Sequence, residues 1–205
     1  VTTVTSSLSL RRNPASPDAT VMTFNGEGLL LRTLALDDVV LDRDRYHYEN
    51  GLLTVEGLPE VCTLTSVVDI EPEKNTALEG LYQSNGMYCT QCEAEGFRRI
   101  TFFPDRPDVL SRFTTTIHAD RAAYPLLLSN GNPGDSGDEE GGRHFATWDD
   151  PFPKPCYLFA LVAGDLACLE DSFRTASGRD VALRLYAEHR DLDKLGHAMD
   201  SLKRA

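Results

Sequence analysis

Two carboxylates, one amide and two guanidiniums fall within ten residues in the stretch Thr90-Gln91-Cys92-Glu93-Ala94-Glu95-Gly96-Phe97-Arg98-Arg99, just after the turn signal Ser84-Asn85-Gly86. A pair of acids would suit glycosidic chemistry, which needs both carboxyls flanking one bond at a defined separation. One acid beside an amide suits another task. Gln91 and Glu93 share a face of an extended segment, and a carboxylate with an amide oxygen can satisfy an ammonium group. The α-ammonium of a peptide has three donors and a pKa near 8. The bland alternative is a solvated acidic loop, or Glu95 paired with Arg98 or Arg99.

Other chemistry finds little support. No serine stands in a Gly-x-Ser-x-Gly elbow. The five histidines (His47, His118, His144, His189 and His197) form no His-Glu-x-x-His and no other metal-binding spacing. Gly26-Glu27-Gly28 lacks the third glycine and following helix of a dinucleotide loop. Cys89-x-x-Cys92 has a redox or zinc spacing, but no second Cys/His pair accompanies it and no βαβ pattern surrounds it. The odd total of five cysteines, without framework spacing, favours structural thiols and a reducing, cytoplasmic compartment.

A net charge of -12 argues against a nucleic-acid partner, whose phosphates need clustered Lys and Arg. The longest apolar run, Cys156 to Gly164, is strand-sized, so no membrane partner is expected. The first residues carry no basic-then-apolar leader.

The elements that must position the acidic stretch read mainly as strands. Val4, Leu8 and Leu10 alternate with polar residues, and Leu29 to Leu36 forms a second strand that Asp37-Asp38 turns into Val39 to Leu41. Tyr46 to Glu49 and Leu52 to Val55 flank Asn50-Gly51, a two-residue hairpin signal. Cys62, Leu64, Val68 and Ile70 face inward from a long strand. Further strands are expected at 113–118, 126–129, 145–148, 156–162, 173–175 and 181–186. Gly131 to Gly142, with five glycines and four acids, reads as a mobile hairpin tip. Its acids do not follow the EF-hand order. Asp149 to Pro155, with three prolines, reads as a rigid edge connector. Leu192, Leu195, Met199 and Leu202 fall at helical spacing, with Asp191 or Asp193 as N-cap and Lys203-Arg204 at the far end. The fold class is therefore all-β and antiparallel, sandwich-like, with a β domain over residues 1–190 and a short helix over 191–205 that wants a partner surface.

Three stretches closely resemble the bacterial branch of the zinc-dependent aminopeptidase N family. They are Leu78-Glu79-Gly80-Leu81-Tyr82-Gln83-Ser84, Cys89 to Arg98, and Pro104-Asp105-Arg106-Pro107-Asp108-Val109-Leu110. Leu127 to Asn132, Asp150 to Gly164 and Ala198 to Lys203 are similar to that family as well. The similarity is strong over about residues 70–205 and only in pattern before that. It implies an N-terminal, saddle-shaped β domain that covers the active site of a thermolysin-like catalytic domain. It further implies that Glu93 binds the amine of a peptide substrate, that Gln91 lines the first substrate pocket, and that Glu95 and Arg98 are structural. The zinc motif lies downstream in the family, so the resemblance implies zinc in the full-length hydrolase and no metal, catalytic residue or activity in this stretch alone. The peptide N-terminus and the catalytic domain of the same polypeptide are its expected partners. A free-standing β-sandwich module that binds protein or carbohydrate is the alternative, and a Cys89/Cys92 redox or metal protein a third.

Overall fold

The computed structural model describes residues 1–205. Two small sheets enclose most of the core. The first carries β1 (Thr2–Arg11), β3 (Leu30–Leu36), β4 (Val39–Val40) and β7 (Val61–Ile70) in the order β1-β7-β3-β4. The second carries β2 (Met22–Asn25), β5 (Tyr46–Glu49) and β6 (Leu52–Val55) in the order β2-β6-β5. The period-2 pattern works as expected in β7, where Cys62, Leu64, Ser66 and Val68 point inward. Cys62, Leu64 and Val68 meet Leu34 from β3 and Phe24, Leu53 and Val55 from the second sheet, in one cluster that excludes water. Each such side chain contributes roughly 1.5–3 kcal/mol by leaving water. Asn50 and Gly51 both adopt positive φ, 52° and 77°, and join β5 to β6 as the hairpin signal requires.

A further sheet pair carries the acidic stretch. It comprises β8 (Gly80–Ser84), β9 (Met87–Gln91), β11 (Leu126–Ser129) and β14 (Leu161–Gly164) in the order β11-β14-β9-β8. Beside it lie β10 (Leu110–Asp120), β12 (Asn132–Glu139) and β13 (Arg143–Pro155), ordered β10-β13-β12. Ile117, Leu127 and Ala163 form the small apolar cluster associated with this pair. The last hairpin, β15 (Ala167–Arg174) with β16 (Asp180–Ala187), supports the one α-helix, α1 (Leu195–Arg204). All strand pairs are antiparallel.

Several expectations change. The glycine- and acid-rich stretch is no hairpin tip: residues 132–139 form β12, paired along β13 from Asn132↔Asp149 to Glu139↔Arg143. Its side chains bury little, so hydrophobic pattern could not reveal it; its ladder rests on backbone groups. Gly137 suits this place because a methyl there would stand 3.2 Å from the Phe145 ring. Only Glu140–Gly142 forms the turn at the tip. Asp149 to Pro155 is likewise no connector but the end of β13, with Pro155 opposite Leu110. Conversely, Cys156 to Val162 is not one strand. Cys156–Leu158 coils as a 3₁₀ turn, and β14 starts at Leu161.

The C-terminal helix also differs. A 3₁₀ turn over His189–Lys194 precedes it, so neither Asp191 nor Asp193 caps α1, and Asp191 binds Lys194 instead. Met199 is 3% exposed and Lys203 pairs with Asp171 of β15. The helix therefore already has a partner within the domain. No helix is long and apolar enough to cross a membrane.

Candidate functional site

The acidic stretch begins where β9 ends. The hairpin β8–β9 turns at Asn85 and Gly86, both at positive φ, and sets Gly80 opposite Gln91. On its other side β9 pairs with β14, Cys89 against Val162, and Thr90 Oγ1 accepts a hydrogen bond from the Leu161 amide at 2.9 Å. Gln91 is thus paired with β8 on one side and directly follows the residue tied to β14, yet its side chain faces solvent.

Past Gln91 the backbone leaves the strand, which corrects the extended reading. Cys92 turns inward and is 2% exposed. The Glu93–Ala94 peptide bond is cis, and the Gly96 amide donates to the Cys92 carbonyl at 2.9 Å, closing a tight turn. Phe97 then anchors a 3₁₀ turn within an aromatic group, with ring centroids 5.1 Å from Phe103, 5.8 Å from Phe113 and 5.2 Å from Phe159. Gln91 and Glu93 do come together, but by a different bond than a shared strand face. Gln91 Nε2 donates to the main-chain carbonyl of Glu93 at 3.2 Å, which leaves Oε1 of Gln91 free to accept.

The charges around the turn sort into two groups. Arg98 meets Glu95 at 3.3 Å, Glu27 at 3.8 Å and Asp105 at 2.9 Å; Arg99 meets Glu27 at 3.2 Å and Glu79 at 3.1 Å. The alternative pairing of Glu95 with Arg98 is therefore realised. Glu93 is outside this network. Its carboxylate is exposed and has neither ion pair nor hydrogen bond within the chain, while Cys92 before it is buried and Glu95 after it is paired with Arg98. An exposed carboxylate without a cation of its own can accept hydrogen bonds from a cationic donor.

Asp105 escaped sequence reasoning as a site residue. Its side chain is 2% exposed, and it accepts from the Arg98 amide at 3.2 Å, from Arg98 Nε at 2.9 Å and from Cys156 Sγ at 2.9 Å. Glu27 and Glu79 were missed as well. The only signal was indirect: two adjacent guanidiniums on a buried turn require acids, without saying which ones.

The Cys89-x-x-Cys92 spacing serves packing. Burial, with help from the nearby Asp105 charge, pushes the Cys92 thiol up to about 12, the reverse of an activated thiol. No three His, Cys, Asp or Glu side chains converge in a way that would hold a metal ion. The residues of this chain therefore do not fit a zinc centre.

Fold and turn together define an antiparallel β domain that presents one uncompensated acid at a strand end. Residues 18–158 match the model of the peptidase M1 N-terminal domain. The chain belongs to the peptidase M1 family and corresponds to its N-terminal domain. Over 204 residues it is 53% identical to aminopeptidase N of Caulobacter vibrioides, covering all of this chain and 23% of that protein. Over 180 residues it is 56% identical to aminopeptidase N of Escherichia coli, covering 88% and 20%. The chain thus spans less than a quarter of these relatives' length. In structure it is similar to Legionella pneumophila aminopeptidase A, solved in complex with aspartic acid, with TM-score 0.94 and 33% identity over 98% of this chain and 24% of that one. An M1 zinc metallopeptidase of Deinococcus radiodurans shares the fold with TM-score 0.74 at 17% identity, over 91% and 43%.

Family membership rather than an orphaned helix now separates this chain from a free-standing module. The packing of Met199 removes the argument that α1 needs an outside surface.

Proposed function

We propose that this chain is the substrate-recognition domain of a zinc-dependent aminopeptidase that removes residues from peptide N-termini in the cytoplasm. Glu93 anchors the substrate α-ammonium and Gln91 lines the pocket for the first side chain. Residues 191–205 lead into the catalytic part of the same polypeptide, which holds the zinc; this chain alone is inactive. The observation that supports the reading best is the contrast between Glu93 and its neighbours. Four other acids around the turn are committed to Arg98 and Arg99, and Glu93 alone faces outward without a cation.

The physical role follows. A protonated α-amine needs acceptors on more than one side, and Glu93 with Gln91 Oε1 offers them. Holding the amine at a fixed place sets the first peptide bond at a fixed distance from it, which is catalysis by positioning. It also restricts cleavage to the chain end, because an internal residue has no ammonium to offer.

The deciding experiment is steady-state kinetics of full-length Glu93→Ala with aminoacyl substrates. A fall in kcat/KM by about two orders of magnitude or more supports the anchor. Unaltered kcat/KM in a folded variant would exclude it.

A further inference from the structure

The turn that presents Glu93 is poorly secured by its own contacts. Glu93, Ala94 and Glu95 are all exposed, and one backbone hydrogen bond, from Gly96 to Cys92, spans them. The two ends are held differently. At the first, Cys92 is buried in the core directly before Glu93. At the second, Arg98 is held by Asp105 through its amide, its Nε and its Nη2, the last donating to the Asp105 carbonyl at 3.2 Å. Asp105 is itself fixed from two more directions, by Cys156 Sγ and by Asn25 Oδ1, which accepts from the Asp105 amide at 3.2 Å. The Arg98 carbonyl accepts from the Glu27 amide at 2.9 Å, which ties the same point to the loop after β2.

A carboxylate buried beside the Cys156 thiol and the Phe103 backbone is an unusual choice for a core. Charges in such places cost several kcal/mol of desolvation, and apolar replacements of a buried pair are often neutral or stabilising. Stability alone does not account for Asp105. Its geometry does: its carboxylate hydrogen-bonds both Arg98, at the exit of the Glu93 turn, and Cys156, in the segment before β14, the strand paired with Tyr88 and Cys89.

We propose that Asp105 is a positioning residue for substrate amine recognition: by clamping Arg98 against Cys156 it fixes where the Glu93 carboxylate stands relative to Gln91. The inference rests on the anchoring role of Glu93 given above. Asp105 touches no substrate; it acts through Arg98 and the turn.

The test uses the full-length enzyme and a pair of inhibitors, alanine hydroxamate and propanoyl hydroxamate, which differ only in the α-amine. The ratio of their inhibition constants reads amine recognition alone. In Glu93→Ala the ratio should collapse towards one. In Asp105→Asn a single amide oxygen cannot serve both Arg98 and Cys156, so the ratio should fall about tenfold while propanoyl hydroxamate binds as before. An unchanged ratio in Asp105→Asn, or equal weakening of both inhibitors, overturns the positioning role and leaves the Glu93 anchor standing. An unchanged ratio in Glu93→Ala overturns both. Where Asp105→Asn does not fold, Arg98→Lys decides by the same criteria, because lysine keeps the charge and loses the guanidinium fork that meets Asp105.

Discussion

Gly96 lies against Gln91 so closely that a methyl on its α-carbon would stand 2.4 Å from the Gln91 carbonyl oxygen and 2.8 Å from the Gly80 amide nitrogen. These are backbone atoms of paired strands, so they cannot swing aside. The approach is what lets the chain leave β9, make the Glu93 turn and return against the same hairpin.

Gly96→Ala should therefore destabilise the domain by roughly 1–3 kcal/mol, the usual cost of forcing atoms into filled space. Its φ of -79° is open to alanine, so the whole effect is steric. Thermal unfolding of the variant measures it. A Tm equal to that of the parent would show that β8 and β9 yield more easily than their pairing suggests.

Glu93→Ala should leave the Tm of the domain nearly unchanged, because no partner within the chain loses a contact. On the anchoring role proposed above, the same change in the full-length enzyme removes a charge pair with the substrate amine, worth roughly 2–5 kcal/mol. That corresponds to a loss of about two to three orders of magnitude in kcat/KM. Glu93→Gln should fall less far, since an amide oxygen still accepts a hydrogen bond. Large loss of stability with normal kinetics would make Glu93 a structural acid.

The thiols give a pH-dependent outcome. Cys92 keeps its proton in the native state up to about 12, against an ordinary value of about 8.5 once unfolded. A raised native value means that the native state holds the proton more tightly. Its contribution is complete below about pH 8.5 and shrinks as pH rises towards 12. Burial and the bond to Asp105 push Cys156 in the same direction. Stability of the domain should fall between those pH limits, and Cys92→Ala should flatten the fall. At pH 8 a thiol reagent should react first with the exposed Cys168, and with Cys62, Cys92 and Cys156 only on unfolding. Rapid labelling of Cys92 would revive the redox reading of its spacing.

Limited proteolysis should spare residues 132–139 and cut at Glu140–Gly142. Strand β12 has its backbone in a ladder, and the three tip residues are exposed, with Gly141 and Gly142 at positive φ. Fraying to an open form is needed before a protease can reach a paired strand. Cleavage inside 132–139 at an equal rate would mean that this edge opens readily.

What could be read from the sequence follows a physical line. Where side chains supply the burial, as in Cys62, Leu64 and Val68 on β7, alternation marks the strand and its inward face. Where the turn chemistry is local, as at Asn50-Gly51, the hairpin is legible. β12 was hidden because its strand character comes from the neighbouring β13 rather than from its own residues. The break at Cys156 was hidden inside a continuous apolar run, where packing around Asp105 and the aromatic group overrides strand propensity. Glu93 and Gln91 stood out through their residue types. Besides the local Glu95, the acids that occupy the two arginines come from positions 27, 79 and 105, and no spacing rule links those to residues 98 and 99.

That last point bears on biosynthesis. The Thr90 hydroxyl waits for the Leu161 amide and the Asp105 carboxylate for the Cys156 thiol, partners 71 and 51 residues further along. On the ribosome, β8 and β9 can pair as soon as they emerge, but the turn between Cys92 and Arg98 lacks these two distant ties until residue 161 has left the exit tunnel. Contacts this distant form late. The nascent chain thus carries Glu93 for some 70 residues of synthesis before the last contacts around its turn can form.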